Sequence, residues 1–281
     1  MSILDNSDAR PPTVAIAGRP VGPGAPVFVI AEMSANHQHD FQRAVDIIHA
    51  AKEAGADAVK LQTFNAETLT LNCDEDYFRI KGTIWEGRNL YSLYQEALTP
   101  WEWQPRLKEI AEGMGLVLFS SPLDATAVDF LEAMNVPCHK VTSFELVDLP
   151  LIRNIAATGK PAILSTGMAV DSEIDEAVQT FREAGGNGLI LLKCTSAYPA
   201  PPEDMNLKAM ARMAQRHHCP VGLSDHSLSP EIAVAAVALG ASVIEKHLCL
   251  DRAAPGLDSS FSLEPQEFKA LVSAIRTVEK A

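Results

Sequence analysis

The stretch Val221-Gly-Leu-Ser-Asp-His226-Ser-Leu-Ser-Pro230-Glu-Ile-Ala-Val-Ala-Ala-Val-Ala-Leu-Gly240-Ala-Ser-Val243-Ile-Glu-Lys-His247 reads as one strand–helix–strand repeat in which both strands close on histidine. Residues 221–224 and 243–246 are β-rich runs, and residues 230–239 between them form a helix. Pro230 suits a first helical turn, and Gly240-Ala241 falls where the helix must reverse into the next strand. A repeat of this length joins parallel neighbours, so the two imidazoles project from adjacent strand ends at one rim. Neutral imidazoles placed there are good ligands for Mn, Fe, Co or Zn, and two protein ligands leave room for substrate. The competing reading of the pair is two buried, hydrogen-bonded histidines. Polar residues crowd both strand ends, which favours the metal.

The same alternation runs outward across nearly the whole chain. Further strands are expected at residues 27–32, 58–62, 116–120, 139–142, 162–165 and 189–194, and further helices at 41–54, 101–113, 126–134, 149–156, 172–183, 207–216 and 265–278. Several strands are apolar on both faces, as a parallel sheet covered by helices requires. Gly55-Ala-Asp57 and Gly185-Gly186 fall at helix ends, and Ser172 sits where a helix start belongs. Eight such repeats predict an α/β fold, a (β/α)8 TIM barrel. A doubly wound sheet is the alternative, but no Gly-rich dinucleotide loop follows the first strand. One long interruption, residues 64–99, contains Tyr77, Trp85, Tyr91 and Tyr94 and is expected to form a lid or side wall. Residues 14–281 show no linker and read as a single catalytic domain. Residues 1–13, with Asp5, Asp8, Arg10 and Pro11-Pro12, read as a disordered arm with no signal-peptide core.

The 281 residues suit a barrel of eight units, and a net charge of −13 argues against a general nucleic-acid binder. An anionic small substrate would then need local positive contacts. No apolar run approaches the ~18 residues of a membrane helix. Cys73, Cys138, Cys194, Cys219 and Cys249 form no CxxC pair and read as reduced thiols of a cytoplasmic protein.

Strand ends supply a polar rim: Glu32; Lys60 and Gln62 on one face; Lys140, Ser143 and Glu145; Ser165-Thr166-Gly167; Lys193, Thr195, Ser196 and Tyr198; Ser224, His226, Glu245 and His247. Singly, each has an ordinary explanation as a solvated charge, a turn or an ion-pair partner. Together, two lysines, serine-bearing loops and backbone N–H groups make an anion cradle. The histidines add a metal, and a nearby carboxylate adds a proton carrier. The combination points to a phosphorylated or carboxylated substrate and a metal-polarised carbonyl.

The ordered motifs Ile30-Ala-Glu32-Met-Ser-Ala-Asn-His37, Asp57-Ala-Val-Lys60-Leu-Gln62-Thr63, Lys140-Val-Thr-Ser143-Phe-Glu145, Leu164-Ser-Thr-Gly167-Met168, Ser224-Asp-His226 and Ile244-Glu-Lys-His247 span most of the chain. With them the chain resembles the phosphoenolpyruvate-dependent sialic acid synthases. Three stretches resemble the pseudaminic acid synthase branch: Leu90-Tyr-Ser-Leu-Tyr-Gln-Glu-Ala-Leu-Thr-Pro-Trp-Glu-Trp103, Ser143-Phe-Glu145 and Lys193-Cys-Thr-Ser-Ala-Tyr-Pro199. The N-acetylneuraminate-forming branch usually has glycine where Phe144 stands and asparagine where Ser196 stands. Phe144 would supply an apolar wall suited to a 6-deoxy acceptor.

The resemblance implies condensation of phosphoenolpyruvate with 2,4-diacetamido-2,4,6-trideoxy-L-altrose to give pseudaminic acid and phosphate, with N-acetylneuraminate or legionaminate synthesis as the alternative. It implies that His226 and His247 hold Mn²⁺, with Mg²⁺ or Co²⁺ as alternatives. Lys60, Lys140, Ser143, Ser165, Gly167 and Ser224 would grip phosphate and carboxylate. Glu32, Gln62, Glu145, Tyr198 and Asp258 would meet the sugar or the attacking water, with Ser196 in the substrate-binding set and Glu32 or Glu145 transferring the proton. It also implies a homodimer. Ala35 stands where relatives commonly have glycine, restricting that backbone. Relatives normally continue into an antifreeze-like domain whose arginine reaches the partner's sugar site, so a chain ending at Ala281 reads as a truncated form or a naturally short one. Competing readings are a Schiff-base aldolase on Lys140 or Lys246, and a barrel that binds phosphoenolpyruvate without turnover.

Overall fold

The computed structural model describes residues 11–254 and 256–281, so the arm expected over residues 1–13 lies, up to residue 10, outside them. Two short strands come first, β1 (Val14–Ile16) and β2 (Arg19–Val21), paired antiparallel. They turn through Ala17 and Gly18, both in the left-handed region at φ 49° and 76°. No strand is expected from the sequence before residue 27. At three residues each, these strands carry too short an alternation to show.

The remaining elements alternate as expected, apart from α2 and α3, two helices inside the 64–99 interruption where none is expected: β3 (Phe28–Glu32), α1 (Phe41–Ala54), β4 (Ala58–Thr63), α2 (Ala66–Leu69), α3 (Leu90–Ala97), α4 (Gln104–Gly113), β5 (Val117–Pro122), α5 (Ala125–Ala133), β6 (His139–Val141), α6 (Leu149–Ala157), β7 (Ala162–Ser165), α7 (Asp171–Glu183), β8 (Leu189–Cys194), α8 (Ala209–His217), β9 (Val221–Asp225), α9 (Pro230–Ala238), β10 (Val243–His247) and α10 (Pro265–Val278). Strands β3 to β10 pair in parallel, and β10 returns to β3, closing the eight-stranded barrel. Four helix starts differ from expectation, α5 beginning at Ala125 and α8 at Ala209 among them. Ser172 lies inside α7, whose first turn is closed by Glu173 accepting from the Val170 N–H at 2.8 Å. The 101–113 helix opens with a 3-10 turn, Trp101–Trp103, before α4. Among the described residues no helix is long and apolar enough to cross a membrane.

Strand alternation assigns each side chain to the helices or to the barrel axis. Val29, Ala31, Val59, Leu61, Leu118, Leu164, Leu191, Leu223 and Ile244 belong to the core shared with the helices. Phe28, Ile30, Ala58, Phe119, Ile163, Ile190, Leu192 and Val243 fill the interior, together with Val14, Ile16 and Val21 of the β1–β2 hairpin. The hairpin therefore stoppers the N-terminal end. Asp57 fastens it, accepting from Arg19, from Arg276 of α10 (2.6 Å) and from the Val29 N–H (2.8 Å).

His37, which belongs to one of the recognised motifs, proves to be an anchor. It is buried, its Nε2 lies 3.1 Å from Thr99 Oγ1, and its Nδ1 accepts from the His39 N–H at 3.1 Å. Burial lowers its pKa to about 4 and keeps it neutral.

Gly222 faces the barrel axis, where an added Cβ would lie 2.2 Å from the Val243 carbonyl oxygen and 2.8 Å from Leu192 Cδ2. Backbone cannot yield there as a side-chain end can. Gly222→Ala should therefore destabilise the barrel by about 3 kcal/mol, read as a lowered denaturant midpoint; an unchanged midpoint would contradict this packing.

Candidate functional site

Further along the interior faces, towards the C-terminal ends of the strands, the apolar filling gives way to charge. Lys60 on β4 follows Ala58, Lys140 on β6 follows Cys138, Ser165 on β7 follows Ile163, and Glu245 on β10 follows Val243, each two residues on and so on the same face. Lys60 Nζ lies 2.7 Å from Glu32 Oε2 and 3.5 Å from Glu245 Oε1, and donates to Ser121 Oγ at 3.1 Å. Lys140 Nζ donates to Ser165 Oγ at 2.7 Å and to the Val141 carbonyl at 2.8 Å. All four charged groups are buried.

Their environments separate them electrostatically. Burial raises the Glu32 carboxyl to about 7 even though Lys60 pulls it down. Burial also disfavours the Lys60 ammonium, but Glu245 and Glu32 more than offset that and hold its pKa above the ordinary lysine value. Lys140 has no directly paired carboxylate, and burial lowers it to about 8. Glu245 stays below the usual carboxylate range, because Lys60, Lys140 and His226 together outweigh its burial.

Above this floor the wall is hydrogen-bonded. Gln62 Nε2 donates to Glu32 Oε1 (3.2 Å) and to Ser34 Oγ (3.0 Å), and Ser34 donates to Asp258. Ser34 is the left-handed residue of this turn, at φ 46°; its neighbour Ala35 is not among the residues of positive φ, so an alanine there meets no backbone penalty. Strain of this kind is held where hydrogen bonds on both sides over-determine the backbone. Thr142 donates to Glu145, whose pKa is raised by burial.

His226 and His247 meet at this rim, with ring centroids 5.3 Å apart. His226 Nδ1 lies 3.0 Å from the Thr195 carbonyl, which makes that nitrogen the protonated donor and leaves Nε2 with its lone pair. His247 Nδ1 is buried without a hydrogen-bond partner. This donor set fits a divalent cation held by two imidazoles with open positions for substrate or water. Among the described residues no cluster of three or more His, Cys, Asp or Glu side chains is arranged as a ligand set.

These groups line a cavity of about 410 Å³. Lys60, Gln62, Lys140, Ser143, Glu145, Ser165, Tyr198, Ser224, His226, His247 and Asp258 all reach its wall, as does Phe144, which is 59% exposed at the mouth. Three expected residues do not. Glu32 lies behind Lys60 and Gln62. The Gly167 N–H is already donated to Ser143 Oγ (3.0 Å), and an added Cβ would meet Ser196 Oγ at 2.3 Å, so Gly167 is needed for close packing. Ser196 Oγ is buried behind it without a partner. Lys246 is removed as a Schiff-base candidate: it points to the helix side of β10, fully buried and ion-paired with Asp225 at 2.7 Å.

Ser34, Thr142, Cys194, Leu257 and Phe261, which have no assigned role in the sequence, also line the cavity, as does Glu245, which the sequence places on the rim without a role. Parity with His247 was the available signal for Glu245. The 64–99 segment forms the expected side wall, contributing Phe64, Ile80, Trp85, Leu90, Leu93 and Tyr94 among others.

The chain is similar in sequence and in fold to known proteins. The model of the NeuB family matches residues 47–281. The chain is 47% identical over 255 residues to a pseudaminic acid synthase of Campylobacter jejuni subsp. jejuni serotype O:23/36, covering 91% of this chain and 74% of that protein. It is 45% identical over 251 residues to the pseudaminic acid synthase of Helicobacter pylori, covering 89% and 74%. The crystal structure of an N-acetylneuraminic acid (sialic acid) synthetase from Leptospira borgpetersenii, in complex with citrate, superposes with a TM-score of 0.88 at 32% identity, covering 97% of this chain and 90% of that one.

A lysine that loses its charge above about pH 8 sets the sign of anion binding. The affinity for phosphoenolpyruvate, measured by calorimetry, should fall about tenfold between pH 7 and 9. Lys140→Gln should bind weakly at both and lose most of that difference; an equal pH dependence in the variant would contradict the assignment.

Proposed function

We infer a reaction from one premise: the chain belongs to the NeuB family, on its pseudaminic acid synthase branch, and is an enzyme of the sialic acid synthase type. It condenses phosphoenolpyruvate with 2,4-diacetamido-2,4,6-trideoxy-L-altrose, giving pseudaminic acid and phosphate. In the balanced reaction C3 of phosphoenolpyruvate bonds to the aldehyde carbon and the aldehyde oxygen takes a proton. Water adds at C2 and phosphate leaves from the same carbon, so one water is consumed.

The observation that carries this reading is the pairing, in one cavity, of two floor lysines, of which Lys140 has no directly paired carboxylate, with two histidines at the rim. Lys60 and Lys140, with Ser143, Ser165 and Ser224, hold the phosphate and carboxylate as charge-assisted partners. Gly167 contributes by positioning Ser143. His226 and His247 would hold Mn²⁺, or Mg²⁺ or Co²⁺ in its place. Such an ion, when bound, polarises the acceptor carbonyl.

Glu145 lies on the wall with a raised pKa and is the better-placed proton donor to the aldehyde oxygen. Glu32, out of contact with the cavity, keeps Lys60 charged and oriented. Gln62, Tyr198 and Asp258 face the sugar, with Ser196 supporting the substrate-binding loop from behind. The reading extends to a cytoplasmic homodimer.

Phe144 bears on the choice of acceptor. Its ring at the cavity mouth removes space and hydrogen-bonding capacity, favouring a deoxy acceptor over one rich in hydroxyls. With Mn²⁺ present, phosphate release should be faster with the diacetamido-trideoxy acceptor than with N-acetylmannosamine. Phe144→Gly should narrow that preference about tenfold. Unchanged preference would contradict the role of Phe144, and no phosphate release with either sugar would contradict the reaction.

A further inference from the structure

Everything that the 64–99 segment contributes to the cavity wall is uncharged, in contrast with the lysine floor. Trp85 stands at the tip of this segment, on a turn closed by backbone bonds from the Gly87 N–H to the Ile80 carbonyl (2.8 Å) and from the Ile80 N–H to the Arg88 carbonyl (2.9 Å), and by the Trp85 N–H donating to Thr83 Oγ1 (3.2 Å). The indole N–H is already committed: it donates to the Leu257 carbonyl at 3.1 Å, beside Asp258. What remains for a ligand is the ring face, an apolar surface.

The ring is also placed with respect to the histidines. Two ring-to-ring steps lead from His226 through Tyr198 to Trp85, with centroid separations of 4.6 and 5.6 Å. Phe261 stacks alongside, 5.0 Å from both Tyr198 and His247. That path is comparable with the reach of a six-carbon chain and its acyl substituent when the first carbon sits at the histidines. Ile80 and Leu90, both half-buried, complete the apolar chamber around Trp85. Half-exposed carbon surface facing a cavity gains by covering a ligand's methyl groups, whereas a hydroxyl placed there would lose its water without a replacement partner.

We propose that Trp85 determines acceptor specificity: its indole face forms the subsite for the acyl methyl group at the end of the acceptor remote from the aldehyde. This rests on the synthase reading above. In that acceptor the group is the methyl of the 4-acetamido substituent, with the 6-methyl beside it. Phe144 narrows the mouth, while Trp85 grips the far end of the sugar.

The test uses the full chain with Mn²⁺, as wild type, Trp85→Ala and Trp85→Phe, with the diacetamido acceptor and its 4-formamido analogue, which lacks only the acyl methyl. Trp85→Ala should raise KM for the diacetamido acceptor about tenfold, leaving kcat and the KM for phosphoenolpyruvate near wild type. Trp85→Phe should fall between, and the two acceptors should become equivalent in Trp85→Ala. Independently of turnover, acceptor binding should change the part of the tryptophan emission that is lost in Trp85→Phe. An unchanged acceptor KM in Trp85→Ala, or an equal rise in both KM values, overturns the proposal. If wild type turns over neither sugar, the reaction has failed, and the fluorescence response to acceptor alone still decides the subsite.

Discussion

Two ammonium groups and two carboxylates share the interior of this barrel, and the need to balance them organises its catalytic end. Unpaired charge in such surroundings costs several kcal/mol per ion, so each must find a partner or change protonation. Lys60 takes the first course, gripped by Glu32 and Glu245. Glu32 takes the second in part, its pKa carried to about 7. Lys140 is left with a hydroxyl and a carbonyl as its neighbours. It is therefore the group with most to gain from an incoming anion. In a chain of net charge −13, Lys140 gives the cavity floor a local positive contact for an anion.

The barrel makes that arrangement affordable by dividing its axis. The lower interior is filled with Phe28, Phe119, Ile163, Ile190 and Val243 and sealed by the hairpin, which excludes water from beneath the charges. The upper interior carries the polar ends of the same strands. A strand that places an apolar residue at one level delivers a lysine or serine two residues later, without any change of direction. The long segment after β4 then adds a wall of different chemistry, so a single cavity presents charge at its floor, imidazoles at its rim and carbon surface at its side.

Most of this was legible in the sequence because it follows from periodicity. The eight strands, the position of His226 and His247 on neighbouring strands, and the shared face of Lys60 and Gln62 all follow from alternation along short strands. Strand parity also separates Glu245, facing inward with His247, from Lys246, facing outward to Asp225. Other features depend on contacts between remote segments and leave no local pattern. Gly167 crowds Ser143 and Ser196 only because three loops converge, and Ser34 is strained only because Gln62 and Asp258 both hold it. Trp85 lies in a stretch without periodicity, and its place beside Tyr198 is set by one bond to the Leu257 carbonyl.

We propose that the histidine rim and the lysine floor are separate halves of one cavity, one for a divalent cation and one for an anion. Electron paramagnetic resonance of Mn²⁺ titrated into the metal-free chain separates the two halves. One ion should bind per wild-type chain, and His226→Ala and His247→Ala should each weaken that binding by about a hundredfold while phosphoenolpyruvate still binds to both variants. Mn²⁺ bound as tightly by either variant as by the wild type would contradict the claim.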